Sequence, residues 1–150
     1  MTHSLRTFIV EDSPVIRENL IATLEEMLPL TVVGVAEDEA AAVLWLTDPA
    51  NECELGIIDV FLKRGTGLGV LKAARKARLR TKLIVLSNFA TPDVRQTCLA
   101  LGADEVFDKS HDIEDLLSWC ARLVAANEDE GGAGGGPLSG PEPEPGAATG

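Results

Sequence analysis

Five polar residues stand where short apolar runs of this 150-residue chain end: Glu11 and Asp12 after "TFIV", Asp59 closing "LGIID", Ser87 closing "KLIVLS" and Lys109 following "EVFD". If the fold brings them together, their types suggest one chemistry. Clustered carboxylates repel one another and lose solvation, so they are tolerable only around a cation. An all-oxygen, carboxylate-rich set suits Mg2+ rather than zinc. Beside a divalent cation, Asp59 could act as a nucleophile toward phosphorus and form an acyl phosphate. Lys109 would then pair with one phosphoryl oxygen, and the Ser87 hydroxyl would donate to another. Each residue alone has a plainer reading. Glu11 and Asp12 could cap the following helix, with a dipole benefit of about 0.3–1 kcal/mol. Asp59 could be a turn residue, Lys109 a solvated one, and Ser87 a loop hydroxyl bonded to its own backbone. The coincidence of all five favours a single site.

The elements that must position them follow from hydrophobic spacing. Between residues 6 and 127, five Val- and Ile-rich runs ("TFIVE", "TVVGVA", "LGIID", "KLIVLS", "EVFD") alternate with five segments of helical period. The runs lack strict alternation, as expected of strands covered on both faces. Ser13 is a candidate N-cap with Pro14 at the first helical position, and Val15, Ile16, Leu20, Ile21, Leu24 and Leu28 fall on one stripe. Thr91, Pro92 and Gly102 repeat the device around a later helix. The remaining helices are expected near residues 38–46, 68–76 and 113–126. Strict alternation of strand and helix implies parallel pairing with right-handed crossovers, hence an α/β, doubly wound, five-stranded sheet. Ligands of such sheets bind beyond the carboxyl ends of the strands, where all five residues lie.

Composition narrows the possibilities. A net charge of −11 works against binding a polyanion, so nucleic acid is not an expected partner. The acidic Gly/Pro-rich segment 128–150 has Leu138 as its one large aliphatic residue and is expected to be a disordered tail beside a folded unit at 1–127. Even that folded unit holds 13 basic against 19 acidic residues. No run approaches about 18 apolar residues and no signal peptide is apparent, so a cytoplasmic protein without membrane insertion is expected. Cys53, Cys98 and Cys120 are widely spaced and suggest structural thiols; His3 and His111 are isolated. Trp45 and Trp119 fit helix packing, and the basic run "KAARKARLRTK" fits a solvated helix face, with an acidic-partner patch as the lesser reading.

With these residues in place, the chain resembles the receiver domains of two-component response regulators, the family of the bacterial chemotaxis response regulator, over the whole stretch from residue 6 to 127. The acidic pair falls on Glu11 and Asp12, the phosphoacceptor on Asp59, the hydroxyl on Ser87 and the lysine on Lys109, with "GTGLGVL" resembling the family's glycine-containing loop. The resemblance implies a flavodoxin-like (βα)5 fold. It implies Mg2+ held by Asp12, Asp59 and the backbone carbonyl of Phe61, with Glu11 acting mostly through water. It also implies phosphoryl transfer from a histidine kinase or histidine phosphotransfer protein, a downstream protein target, and compatibility with a phosphorylation-dependent dimer. On this view the protein is a stand-alone phosphoacceptor switch, and no enzyme beyond its own phosphorylation and slow dephosphorylation.

Several positions depart from the family pattern. Lys63 and Ser110 replace frequent prolines, and Val106 stands where an aromatic switch residue is common, with Phe107 one place later on the opposite strand face by a period of two. These departures make a phosphorylation-independent pseudo-receiver the main alternative. Phe61 and Phe89 flank the acceptor and the hydroxyl strand, where they either shield an acyl phosphate or only pack on neighbouring loops. An aspartyl phosphatase would want a carboxylate at Phe61, and a flavin domain would want a phosphate cradle where the acidic "EDSPV" stands.

Overall fold

The computed structural model describes residues 4–135, with side chains through Asn127. Five strands, β1 (Leu5–Val10), β2 (Leu30–Ala36), β3 (Leu55–Ile58), β4 (Lys82–Ser87) and β5 (Glu105–Asp108), form one sheet in the order β2-β1-β3-β4-β5, every pair parallel. Helices α1 (Pro14–Met27), α2 (Glu39–Thr47), α3 (Gly67–Lys76), α4 (Pro92–Ala100) and α5 (Ile113–Gly135) make the crossovers. This is the expected flavodoxin-like doubly wound sheet. The chain order reverses on either side of β1, opening a crevice at the carboxyl ends of β1 and β3.

Local chemistry starts the helices as the sequence suggests. Ser13 Oγ accepts from Ile16 N with Pro14 in the first turn, and Thr91 Oγ1 accepts from Val94 N ahead of Pro92. Two apolar layers sandwich the sheet. Phe8, Val10, Ile58 and Val85 face α2, α3 and α4, whereas Leu5, Ile9, Ile57 and Ile84 face α1 and α5. Phe107 belongs to the second layer and Val106 to the first, as the period of two requires. Cys98 and Cys120 are buried free thiols, burial pushing Cys120 up to about 12, and Trp119 packs against the second layer.

Three expectations change. Strand β2 is the sheet edge, so Val33 and Val35 are 40% and 43% exposed despite an unalternated apolar run. Val15 and Ile16 are 68% and 40% exposed, because the first turn of α1 rises past the carboxyl edge before the helix meets the sheet. Helix α5 continues to Gly135, past the boundary expected at residue 127; the rest of the tail, 136–150, and His3 lie outside the described residues.

Helix α2 is held against the sheet by a stack: its Trp45 ring lies parallel to that of Phe8 on β1, 4.2 Å between centroids. Gly34 permits it, since a Cβ there would stand 2.6 Å from the indole. Gly34→Ala must displace Trp45 and is expected to cost about 1–3 kcal/mol. Urea unfolding followed by tryptophan fluorescence would show this as a lower midpoint, and an unchanged midpoint would mean that the indole has room to shift.

Candidate metal and phosphoacceptor site

Because β1 and β3 are adjacent and parallel, the residues following them emerge side by side. Asp59 N donates to Val10 O at 3.0 Å, fastening the start of one loop to the end of the neighbouring strand. Glu11 and Asp59 are buried, 3% and 7% exposed, and Asp12 is half-buried. Ligand oxygens of the three acids lie within 4.8 Å of one another. The expected acid cluster is therefore assembled.

Lys109 neutralises part of it. Its Nζ donates to Glu11 Oε1 at 2.5 Å and Asp59 Oδ2 at 3.0 Å. Burial works against the charged ammonium, but the bonds and charges of Glu11 and Asp59 outweigh it and raise the Lys109 pKa. Asp59 is also raised, chiefly by burial and further by the Glu11 charge, against the opposing pull of Lys109 and the Phe61 N–H. The donor set suits a hard divalent cation: three carboxylates converge, and one ammonium already stands among them as an internal counterion.

Backbone donors hold the carboxylates in place. Ser13 N donates to Glu11 Oε2 at 3.0 Å, so Glu11 also serves the turn into α1. Phe61 N donates to Asp59 Oδ1 at 3.2 Å, and Lys63 N to Asp12 Oδ2 at 2.7 Å. A proline at 63 could not make the latter bond, which gives a structural reason for a residue other than proline there. Ser110 N likewise donates to Asp108 Oδ1 at 2.7 Å. Ser87 is fully buried, and its hydroxyl accepts from Phe89 N at 3.1 Å, matching the plainer expectation for that residue. Its carbonyl accepts from Lys109 N at 2.9 Å, which places hydroxyl and lysine on adjoining strand ends. His111 is exposed in the loop after Lys109.

Phe61 and Phe89 line the same crevice, 50% and 62% exposed, and meet edge to face at 5.5 Å and 86°. They pack on each other across the opening between their neighbouring loops.

Sequence reasoning missed Glu39. From the start of α2, its N–H donates to Arg64 O and its Oε1 accepts from Thr66 N, clamping the loop between β3 and α3. The glycines of "GTGLG" make room: a Cβ at Gly65 or Gly69 would stand 2.4 or 2.2 Å from the Glu39 side chain, and one at Gly67 2.3 Å from Asp59 O. That glycine spacing was the available signal. Also missed was Arg95 on α4, whose Nη1 donates to Val106 O at 2.7 Å and Nη2 to Asp112 Oδ2 at 2.9 Å. Asp112 accepts from Asp108 N as well, and these bonds hold its carboxyl below the usual carboxylate range.

The raised Asp59 pKa has a stability consequence. A carboxyl whose pKa is higher folded than unfolded contributes stability that is present below its ordinary 3.8 and lost as pH rises through the folded value. The ionised group therefore works against folding at neutral pH when no metal is added. Asp59→Asn in metal-free buffer is expected to raise the urea midpoint at pH 7, the difference closing as pH falls toward 3.8. A lowered midpoint at pH 7 would show that the Lys109 bond outweighs burial.

A family model for the response regulator receiver domain matches residues 7–120. The chain is 30% identical over 123 residues to the uncharacterized transcriptional regulatory protein YvfU of Bacillus subtilis, covering 80% of this chain and 59% of that protein. It is 29% identical over 114 residues to the transcriptional regulatory protein DltR of Streptococcus agalactiae, covering 76% and 49%. The chain thus spans about half to three fifths of the length of these curated relatives. Among solved structures, the receiver domain of Francisella response regulator 1452 superposes with a TM-score of 0.70 at 22% identity, covering 83% of this chain and 99% of that one. The response regulator domain of Thermotoga maritima CheB gives 0.70 at 20% identity, covering 83% and 96%. A Burkholderia pseudomallei response regulator with a phosphorylated aspartic acid, calcium ion and citrate gives 0.68 at 19% identity, covering 90% and 76%. With a five-stranded parallel sheet, an acid cluster at its carboxyl edge and a family match across most of its length, the chain belongs to the response regulator receiver domains of two-component systems.

Proposed function

We propose that this receiver accepts a phosphoryl group on Asp59 from the phosphohistidine of a histidine kinase or histidine phosphotransfer protein, and signals through a downstream protein. The observation that carries the reading is the convergence of Glu11, Asp12 and Asp59 with Lys109 donating into the cluster. The solved relative with a phosphorylated aspartic acid and a calcium ion supports it. Glu11, Asp12, Asp59 and the Phe61 carbonyl would hold Mg2+, which supplies positive charge to offset the anions gathered there.

An Asp59 carboxylate oxygen attacks phosphorus, the new P–O bond forms as the P–N bond to histidine breaks, and the released imidazole nitrogen takes a proton from solvent. The Lys109 bond to Asp59 Oδ2 gives way to one with a phosphoryl oxygen, and the Ser87 hydroxyl turns from Phe89 N to donate to another. These shifts move the two strand ends that carry α4 and α5, biasing that face toward a partner-binding state. Each round modifies the protein itself, so it acts as a switch and not as a turnover enzyme. Among the described residues no helix is long and apolar enough to cross a membrane. The reading places the protein in the cytoplasm, with the kinase. The net charge of −11 favours protein over nucleic acid as the receiver's own partner.

One observation favours a second reading, a binding module that works without phosphate: Lys109 already supplies a positive charge to Glu11 and Asp59. Incubation with Mg2+ and a small phosphodonor separates the two. The expected result is a mass gain of about 80 Da that is absent in Asp59→Asn. An unmodified wild-type protein under every donor would leave the binding module.

The Phe61 and Phe89 pair is proposed to keep attacking water from the acyl phosphate. Phe61→Asn and Phe89→Glu are each expected to speed loss of phosphate by about tenfold, equivalent to about 1.4 kcal/mol of barrier. Time courses of dephosphorylation that match wild type in both variants would remove the shielding role.

A further inference from the structure

At the edge of the sheet opposite the acid cluster, the second half of α3, the loop after it and the first residue of β4 carry Lys72, Arg75, Lys76, Arg78, Arg80 and Lys82 in an otherwise acidic chain. Among the described residues none of these pairs with a carboxylate; Arg75 donates to Ala100 O and the others make no side-chain bond. Arg75, Arg78, Arg80 and Lys82 rim a groove whose floor includes buried Leu71 and Leu83, with Asp104 the one acid beside them. Attraction to the helix C-terminal dipole accounts for Arg75, Lys76 and Arg78, but Arg80 and Lys82 lie beyond the last turn.

The backbone adds a second observation. Arg78 N donates to Arg75 O and Leu79 N to Ala74 O, the paired bonds of a helix stop that normally places glycine in the left-handed position. Arg78 occupies it instead, with φ 57°. The conformation that glycine would adopt without strain is here imposed on a residue whose side chain adds charge to the rim.

The stretch of α5 from Leu123 to Asn127 lies at this edge. Leu123 and Asn127 share a hollow with Arg80 and Lys82, where Glu52 and Glu54 are both engaged by Arg6. After Arg122 the chain has no Lys, Arg or His and five acids: Glu128, Asp129, Glu130, Glu142 and Glu144. We propose that the acidic stretch "PEPEP", residues 141–145, docks within its own chain on the cationic groove of Arg75, Arg78, Arg80 and Lys82. The seven residue steps from Gly135 to Glu142 span up to about 25 Å when extended, enough to turn back over the sheet edge. Three prolines predispose the stretch to an extended form, so that little chain entropy is lost on docking. Occupancy covers the uncompensated cations and competes with any other acidic segment for them.

The test uses the full 15N-labelled chain without Mg2+ or phosphodonor, so its outcome is independent of the phosphoacceptor reading. At about 20 mM salt, where the Debye length is about 20 Å, the combined change Glu142→Gln and Glu144→Gln is expected to shift the amide signals of residues 78–82. Those of Glu11, Asp12 and Asp59 stay in place. Raising salt to about 0.5 M, with a Debye length of about 4 Å, should move the wild-type signals toward the variant's positions. Arg78→Gly with Arg80→Gln keeps the helix stop and should abolish the tail-dependent shift. Unmoved signals in the double-glutamine variant, or a tail-dependent shift surviving loss of both arginines, would overturn the proposal. Shifts that grow with protein concentration would overturn it too, assigning the contact to a second copy.

Discussion

The carboxyl edge of this receiver depends on one ammonium group. Parallel pairing of β1 and β3 forces Glu11 and Asp59 together, out of most of the water that would otherwise stabilise their charges. Lys109, arriving from β5 past the whole width of β4, meets both carboxylates and makes the crowding tolerable. Its own charge is stabilised in return, despite burial. Because β4 lies between the acids and the lysine, the Ser87 carbonyl that receives the Lys109 N–H fixes the spacing across which the side chain must extend. The geometry of the acid pocket is therefore a property of the sheet order as much as of the five residues themselves.

A second constraint is backbone hydrogen bonding in the loops. Ser13, Phe61 and Lys63 each turn an N–H onto an acidic side chain of the cluster. Glu39 fixes the loop between β3 and α3 from outside, reaching into space left by Gly65 and Gly69. The loop is thus shaped by donors and by missing side chains, where the family often uses a rigid ring at position 63.

The order of elements, the helix starts at Ser13 and Thr91, and the identity of the clustered acids were legible because each depends on short-range pattern or on strand ends that the topology aligns. Exposure of Val33 and Val35 was not, since whether an apolar run lies at the centre or the edge of a sheet depends on which strands flank it. Val15 and Ile16 carry the period of a buried stripe, yet the helix begins above the sheet. Glu39 and Arg95 escaped notice because each bonds to segments far away in the chain, and nothing in the residues beside them marks those partners. For Ser87, the sequence allowed both a phosphate-facing hydroxyl and a backbone-bonded one; the hydroxyl accepts from Phe89 N, which leaves its own proton unassigned between the two.

Arg95 joins three pieces that would otherwise be independent: Nε donates to Ala90 O just before α4, Nη1 to Val106 O in β5, and Nη2 to the Asp112 carboxylate at the head of α5. A small slide of α4 cannot lengthen one of these contacts while sparing the rest, because a single planar guanidinium makes all three. Withdrawal of that one fork would therefore untie the segment before α4, strand β5 and the head of α5 together.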